Sequence, residues 1–345
     1  MLALDPATHR SHALHASDRR WPQTNCWTDL WIEIVAALGH DPHAMLGFTV
    51  MQDHEGDQAT FFKVPTEDME RLFGLRLLEL SIFDRLETHV VTQCGRGRVV
   101  VVEVDGHFLP DTLGVSYRTT HPKTTIGVAT IDPVARRIVY FHNDGVFALD
   151  GEDYDGIFGR VDVPADPARL PPYAEFLKIP EHPPVRDLRA EAVALLARHL
   201  ARRPAENPFA AWAADFPAHA ADLATRPPEW FHTYAFNLPR QYGANFELLG
   251  SHLRWLEGQG ETGLEPAASA ADEIAETAKV FQFKLARAMA RGKFDGLDAM
   301  IGQMAAAWDR VMAVLDAKYR DEAPRRRVAT PPDGAPRPAL AVSAG

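Results

Sequence analysis

The chain has 345 residues, of which 46% are hydrophobic and 24% charged, a balance typical of globular proteins with a sizeable core. At this length two domains are the natural expectation. The formal net charge of −11 argues against binding to a phosphate backbone, which needs clustered Lys and Arg, so we expect no nucleic-acid partner. No stretch is long and apolar enough to span a bilayer, and the polar N-terminus is unlike a secretory signal. Without such a stretch we expect no membrane partner. Two cysteines are too few for a disulfide framework, so we expect a cytoplasmic protein.

The first part of the chain is predicted to be helical after an initial flexible arm, residues 1–20, which is polar and rich in His and Arg. A helix is predicted from about 26 to 38, because apolar residues recur on one face and Gly39 follows its end. Two further helices are predicted, one after residues 65–68 and one that opens at 81–84 and stops at Gly95.

Strands are predicted after these helices. A β-branched run at 99–104 is typical of a buried strand, and the segments 124–131 and 138–142 flank a stretch with turn composition. Helices followed by an antiparallel hairpin are typical of an α+β fold, since a parallel sheet requires strands and helices in alternation. We therefore predict an α+β domain over residues 21–165, in which the acidic stretch 150–156 is a solvated loop.

The second half is predicted to form a separate domain. Prolines accumulate from about 161 to 185, and we place the domain linker at 166–185. A C-terminal all-helical domain is predicted over 186–320, with breaks or kinks at Pro217 and Pro239. The stretch 321–345, rich in Pro and Ala, is predicted to be a disordered tail.

Cys26 is the first candidate for catalysis, because it lies at the predicted N-terminus of the first helix. The positive end of the helix dipole favours the thiolate, which is the nucleophilic form of cysteine. The alternative is a buried thiol, since Cys26 shares a helix face with Leu30 and Ile34. Cys94 precedes a helix C-terminus, where the dipole opposes thiolate, and is expected to be a small buried hydrophobic residue.

His121, at the head of a predicted strand, is the candidate general base that would take the thiol proton. The alternative is an ordinary surface histidine, one of fifteen in the chain. Asn143 or Asp144 can accept from the second ring nitrogen and fix its tautomer. Strand alternation places these two residues on opposite faces, and Asn-Asp-Gly is also a common turn sequence.

Other residues near Cys26 are candidates for supporting roles. Gln23 and Asn25 can offer amide donors to an oxyanion beside the backbone N–H of Cys26, although helix capping is the simpler role for Asn25. A further set of polar or aromatic residues is predicted to bind substrate: Trp27, Arg240, Gln241 and Asn245.

Metal and nucleotide sites are not predicted. His9, His12 and His15 lie in the predicted arm without a Cys-x-x-Cys partner, which argues against structural zinc. The chain contains neither a G-x-x-x-x-G-K-[ST] phosphate loop nor a G-x-G-x-x-G segment after a strand.

Several segments around these residues carry a resemblance to known families: 25–27, 101–105, 109–112, 117–125 and 140–145. They resemble the butirosin biosynthesis protein H family over roughly the first half of the chain. They look closer still to a bacterial family whose genes tend to neighbour amino acid:[carrier protein] ligases, and this likeness extends over most of the chain.

The resemblance implies a papain-like N-terminal domain, because butirosin protein H resembles papain-like and bacteriocin-processing cysteine peptidases in fold. It implies transfer of an aminoacyl group from the phosphopantetheine thioester of a carrier protein to a small amine, without a cofactor bound by this chain. Cys26 would be the nucleophile, His121 the base, and Asp144 or Asn143 the residue that orients it. Papain-type enzymes keep their oxyanion glutamine further upstream than Gln23 lies from Cys26. A papain-like peptidase or amidase and a non-catalytic binding protein on the same fold are the alternatives.

Overall fold

A computed structural model describes residues 4–160, 172–182, 184 and 187–319. The described residues form ten α-helices and one six-stranded antiparallel sheet, an α+β architecture. The helices are α1 (Cys26–Ala37), α2 (Thr66–Phe73), α3 (Leu86–Gly95), α4 (Gly151–Ile157), α5 (Leu188–Leu200), α6 (Pro208–Leu223), α7 (Trp230–Asn237), α8 (Pro239–Gly258), α9 (Glu265–Arg291) and α10 (Leu297–Tyr319). The strands are β1 (Arg76–Glu79), β2 (Val99–Asp105), β3 (Lys123–Asp132), β4 (Arg137–His142), β5 (Gly145–Asp150) and β6 (Ala174–Lys178).

The sheet has the order β1-β6-β2-β3-β4-β5 and is covered on both faces. Helix α1 packs on one face, over β3 and β4, while α3 and α4 cover the other. A close approach of α1 is possible because Gly127 of β3 has no side chain: a Cβ there would lie 3.2 Å from Ile34 and 3.3 Å from Leu30. The face under α1 shares one continuous core with the helices of the second half.

The three strands predicted from sequence are confirmed, each within one residue of its observed ends. The acidic stretch predicted to be a solvated loop is instead helix α4, whose first turn contains Glu152 and Asp153, where the dipole favours acids. Tyr154 of this helix is fully buried and packs against the sheet, so a tertiary contact decides its conformation.

Residues 4–20, predicted to belong to a flexible arm, are held against the rest of the protein. His9 lies 2.7 Å from Glu33 of α1, and the backbone N–H of His12 donates to the same carboxylate at 2.8 Å. Leu14 is 1% exposed, and Arg19 donates to Ser251 of α8. The physical reason is the buried Glu33 carboxylate, which needs partners in the low-dielectric interior.

The linker predicted at 166–185 contains a strand. Residues 161–171 lie outside the described part of the chain, but β6 at Ala174–Lys178 pairs with both β1 and β2 and so belongs to the sheet. The first domain therefore extends beyond the predicted end at residue 165. The predicted tail, 321–345, also lies outside the described residues.

The described residues from 188 to 319 form helices α5 to α10. Pro239 begins α8 instead of kinking a longer helix, because proline lacks the N–H that the first helical turn leaves unpaired. Pro217, in contrast, lies inside α6 without ending it. Among the described residues, no helix has the length and apolar character needed to cross a membrane.

Trp21 joins the N-terminal segment to the second half. Its indole N–H donates to Ala275 of α9 at 3.1 Å, and its backbone N–H donates to Glu247 of α8 at 2.9 Å. The indole lies directly on Gly243, where a Cβ would come within 2.6 Å of the ring. Only a glycine fits under this ring.

We expect Gly243→Ala to lower the free energy of unfolding by about 1–3 kcal/mol, because the added methyl group must displace the indole ring. The measurement is urea denaturation followed by circular dichroism. Gly258→Ala is the matched control, since a methyl group there would meet open space in the same helix. Equal unfolding free energies for the two variants would contradict this packing.

Candidate active site around Cys26

Cys26 is the first residue of α1 and is half-buried. Asn25 caps the helix: its side-chain oxygen accepts from Thr28 N–H at 2.9 Å, and its amide nitrogen donates to the Phe62 carbonyl at 3.0 Å. Asn25 is 1% exposed, so its side chain faces inward and acts as a helix cap. The backbone N–H of Cys26 is at the positive end of the helix.

Arg240 of α8 holds the segment before Cys26. Its Nε donates to the Thr24 carbonyl at 2.8 Å and its Nη2 donates to the Gln23 carbonyl at 3.0 Å. Burial lowers the pKa of Arg240, while the nearby Asp29 and Cys26 act in the opposite direction. The Arg240 guanidinium, carried by the C-terminal half of the chain, therefore binds the two residues that precede the Asn25 cap.

Asp29 fixes the same turn from the side of the helix. It is fully buried and accepts from the backbone N–H and the hydroxyl of Thr24, at 2.8 and 2.6 Å. Burial raises the pKa of Asp29, partly offset by His15, the hydrogen bonds from Thr24, and Arg240. With Arg240, this carboxyl determines the backbone path into Cys26.

The two residues proposed to orient His121 lie elsewhere in the structure. Asp144 accepts from the side-chain amide of Gln23 at 3.2 Å, and Asn143 occupies the β4–β5 hairpin loop with φ of 47°. Neither has a hydrogen bond to His121. Asn-Asp-Gly forms the turn between β4 and β5, where Asn143 adopts the left-handed conformation that asparagine tolerates.

His121 is oriented by Asp105, at the end of β2. Its Nδ1 lies 2.7 Å from Asp105 Oδ2, and its ring stacks on His107 with centroids 4.3 Å apart. The His121 side chain is 67% exposed, and no hydrogen bond joins it to Cys26. Sequence reasoning missed Asp105, although the antiparallel pairing of β2 with β3 places Asp105 beside Lys123, two residues after His121.

Cys26 and His121 nevertheless belong to the same end of the sheet. Gln23 reaches the β4–β5 hairpin, while Trp27 shares a cavity with Glu103 of β2. The start of α1 therefore extends across the beginning of β3, which His121 precedes. The Asp105–His121 pair therefore lies at the end of the sheet where α1 begins.

A second histidine, His142, is buried on the opposite face of the sheet. Its Nδ1 lies 2.5 Å from Asp111 and its Nε2 lies 2.8 Å from the Thr124 hydroxyl. Tyr140 donates to the same Asp111, and burial raises the pKa of its hydroxyl. Since Tyr140 belongs to the core on the side away from α1, this network is a structural one.

Two cavities are lined by residues close to Cys26 in sequence, Trp27 in one and Gln23 in the other. Trp27 lines one of about 590 Å³, together with Lys63, Glu103, Tyr173 and Glu175. The other, of about 390 Å³, is lined by residues that include Gln23, Asp144, Arg240 and Lys279. The first cavity thus carries two acids and the second carries two cations, and Cys26 itself is not among the residues that line them.

Of the four residues predicted to bind substrate, Trp27 and Arg240 lie at these cavities. Gln241 and Asn245 lie in the interior instead. Gln241 donates to the Phe236 carbonyl and Asn245 donates to the Thr49 carbonyl, which ties α8 to neighbouring segments. Both residues belong to α8, and most residues of this helix are buried. Their side chains therefore contact the interior and not a cavity.

Among the residues that the structure describes, one group of side chains has the spacing of metal ligands. Atoms of His12, Asp41 and His43 lie within 4.8 Å of one another. His12 Nδ1, however, accepts the Leu14 N–H, which leaves the ring proton on Nε2. Burial lowers the pKa of His12 to about 4, with His43 adding to the effect, so this ring stays neutral. The group serves as a contact between the N-terminal segment and the Asp41 turn.

The two cysteines provide an internal comparison of reactivity. Cys94 is buried, its Sγ donates to the Val128 carbonyl, and burial raises its pKa to about 12. We expect iodoacetamide at pH 7 to alkylate Cys26 and to leave Cys94 unmodified in the folded protein, because only Cys26 combines access with a helix N-terminus. Peptide mapping by mass spectrometry measures both sites, and unfolding in urea should make both reactive. Equal labelling of the folded protein at the two sites would contradict the assignment.

The chain matches the DUF1839 N-terminal domain over residues 10–179 and the DUF1839 C-terminal domain over residues 185–317. The boundary between the two family domains comes directly after β6. The N-terminal family domain therefore contains all six strands of the sheet. A search of curated proteins finds no match to the chain. With both domains present in order, the chain belongs to the DUF1839 family.

Proposed function

We propose that the protein is a cysteine-dependent aminoacyl transferase with a papain-like catalytic domain, and that Cys26 carries the aminoacyl group. The observation that carries this proposal is the position of Cys26: half-buried at the first residue of α1, directly after a segment whose Thr24 and Gln23 carbonyls accept hydrogen bonds from Arg240. Helix N-termini and neighbouring cations are the two environments that activate cysteine nucleophiles.

The first half-reaction transfers the aminoacyl group to the enzyme. The Cys26 thiolate attacks the carbonyl carbon of a phosphopantetheine thioester on a carrier protein. The tetrahedral oxyanion collapses, the bond to pantetheine sulfur breaks, and the leaving thiolate takes a proton from water. Since one thioester replaces another, this step requires positioning and an oxyanion site more than a large driving force.

The second half-reaction transfers the group to an amine. The neutral amine attacks the acyl-enzyme, its proton passes to Nε2 of His121, and the bond to Sγ breaks to restore the thiolate. The Asp105 contact at Nδ1 supports this role, because it leaves Nε2 free to accept a proton. The exposure of His121 lets an acceptor reach it from solvent.

Two donors are available for the oxyanion. The backbone N–H of Cys26 lies in the first helical turn, where no intrahelical acceptor exists. Gln23 is exposed and its amide donates to Asp144, a contact that a substrate oxygen can replace. Asn25 is left as a cap, since its amide is bonded inward to Phe62.

The direct test is incubation with an aminoacyl-carrier protein, followed by intact-mass analysis. We expect an adduct of the aminoacyl mass on the wild type and on Cys94→Ala, the matched control, but none on Cys26→Ala. An equal adduct on Cys26→Ala, or none on the wild type, would rule the transferase out. Cleavage of a peptide panel without an acceptor amine would instead identify a peptidase using the same thiol.

A second prediction concerns the base. We expect His121→Gln to slow transfer from the acyl-enzyme to an added amine by about 100-fold or more, the usual effect of removing a general base. Asp105→Asn should slow transfer less and shift its pH profile, because the ring remains but its orientation changes. Glu152→Gln, which removes an exposed acid from α4, is the control. Transfer at the wild-type rate in His121→Gln would exclude His121 as the base.

A further inference from the structure

The cavity that Trp27 lines carries two acids from neighbouring strands of the sheet. Glu103 of β2 and Glu175 of β6 line it, and Tyr173 hydrogen-bonds to Glu175. Strand alternation and the Val101–Glu175 pairing place both carboxylates on the face that carries α1. The acids therefore face the side on which the Cys26 segment lies.

Glu175 is an acid buried without a full set of hydrogen bonds. It is 7% exposed, and its Oε2 has no hydrogen-bond partner. It also lies directly opposite Glu79 of β1, a like-charge pair that destabilises an antiparallel sheet. A buried, incompletely bonded carboxylate beside a second acid is a costly arrangement unless a cation meets it.

The neighbouring cations are arranged so that none forms an ion pair with Glu175 among the described residues. Lys123 donates to Glu103 at 2.7 Å, and Lys63 Nζ lies 4.5 Å from the centroid of the Trp27 ring. Burial raises the pKa of Glu175, and Glu79 and Glu103 add to this, while Tyr173 and Lys63 lower it. The Lys63 position also shows that the Trp27 face accepts a cation.

We propose that this cavity binds a primary ammonium group of the substrate, with Glu175 as its hydrogen-bonded counter-ion and the Trp27 ring as its wall. That the group is the amine of the aminoacyl donor or of the acceptor rests on the proposed transferase function. The cavity itself stands on the geometry of Glu175 and Trp27, without the Cys26 chemistry.

The binding test uses n-butylammonium as probe and 1-pentanol as its neutral counterpart, measured by isothermal titration calorimetry. We expect the full-length protein to bind the cation and not the alcohol, and Glu175→Gln to weaken the affinity about tenfold or more, as for loss of a charge-assisted hydrogen bond. The matched control is Glu229→Gln, which removes an exposed acid from the C-terminal half and should leave binding unchanged.

Lys63→Ala gives an independent check, because Lys63 is exposed and its removal should not disturb folding. Loss of the competing cation at Trp27 should tighten binding of n-butylammonium. No binding to the wild type, equal affinity in Glu175→Gln, or weaker binding in Lys63→Ala would each overturn the proposal.

Acylation of Cys26 distinguishes the source of the ammonium group. If the donor supplies it, Glu175→Gln should slow labelling by the glycyl thioester of N-acetylcysteamine but not by the acetyl thioester. If the acceptor supplies it, labelling should be unchanged and the KM for the amine should rise. If neither changes, the cavity does not bind substrate. Dependence of n-butylammonium binding on Glu175 with no Cys26 labelling at all would instead refute the transferase alone.

Discussion

The hydrogen bonds from Arg240 to the carbonyls of Thr24 and Gln23 are the interaction on which the candidate site depends. They bring a residue of α8, in the C-terminal domain of the family, to the backbone immediately before the Cys26 thiol. A planar guanidinium donates two bonds in fixed geometry and keeps its charge, which lysine would do less well. The C-terminal half therefore contributes a residue that holds the segment before Cys26, which the N-terminal domain carries.

Helix α1 explains why the site needs so many supporting contacts. It is buried between the sheet and the helices, and two acids, Asp29 and Glu33, are buried with it. Each carboxyl is satisfied by a segment that comes before the helix: Thr24 bonds to Asp29, and His9 and His12 bond to Glu33. The N-terminal segment is thus held in place by hydrogen bonds to the two buried carboxylates of α1. The bonds from Thr24 to Asp29 also fix the backbone just before the helix begins.

The helices and strands that were predicted correctly are those marked by residues adjacent in sequence. The cap at Asn25 and the apolar face of α1 gave the helix start, and β-branched runs gave β2, β3 and β4. The sequence could not reveal β6, because its pairing with β1 and β2 depends on distant segments and its surroundings are rich in proline. The same holds for Asp105, whose contact with His121 comes from strand register, and for the ordered arm, whose partner Glu33 is buried only after folding.

In the candidate site, too, some features followed from local sequence and others depend on tertiary contacts. The position of Cys26 at a helix N-terminus followed from sequence. Arg240 was predicted to contact substrate, and the structure adds that it donates to the backbone carbonyls of Thr24 and Gln23. Gln241 and Asn245, its neighbours in sequence, point into the interior because α8 is buried on most sides. Residue type and spacing suggested these three polar side chains as a group, but helix geometry separates them.

The measurement that tests the central claim most directly is the rate of Cys26 alkylation in Arg240 variants across pH. If the guanidinium stabilises the thiolate, Arg240→Gln should slow alkylation at pH 7 about fivefold to tenfold, as expected for loss of a nearby charge near the protein surface. Arg240→Lys should fall between this variant and the wild type, and Arg254→Gln, a control on the same helix, should react like the wild type. An unchanged rate in Arg240→Gln, in a variant shown to be folded, would contradict the account.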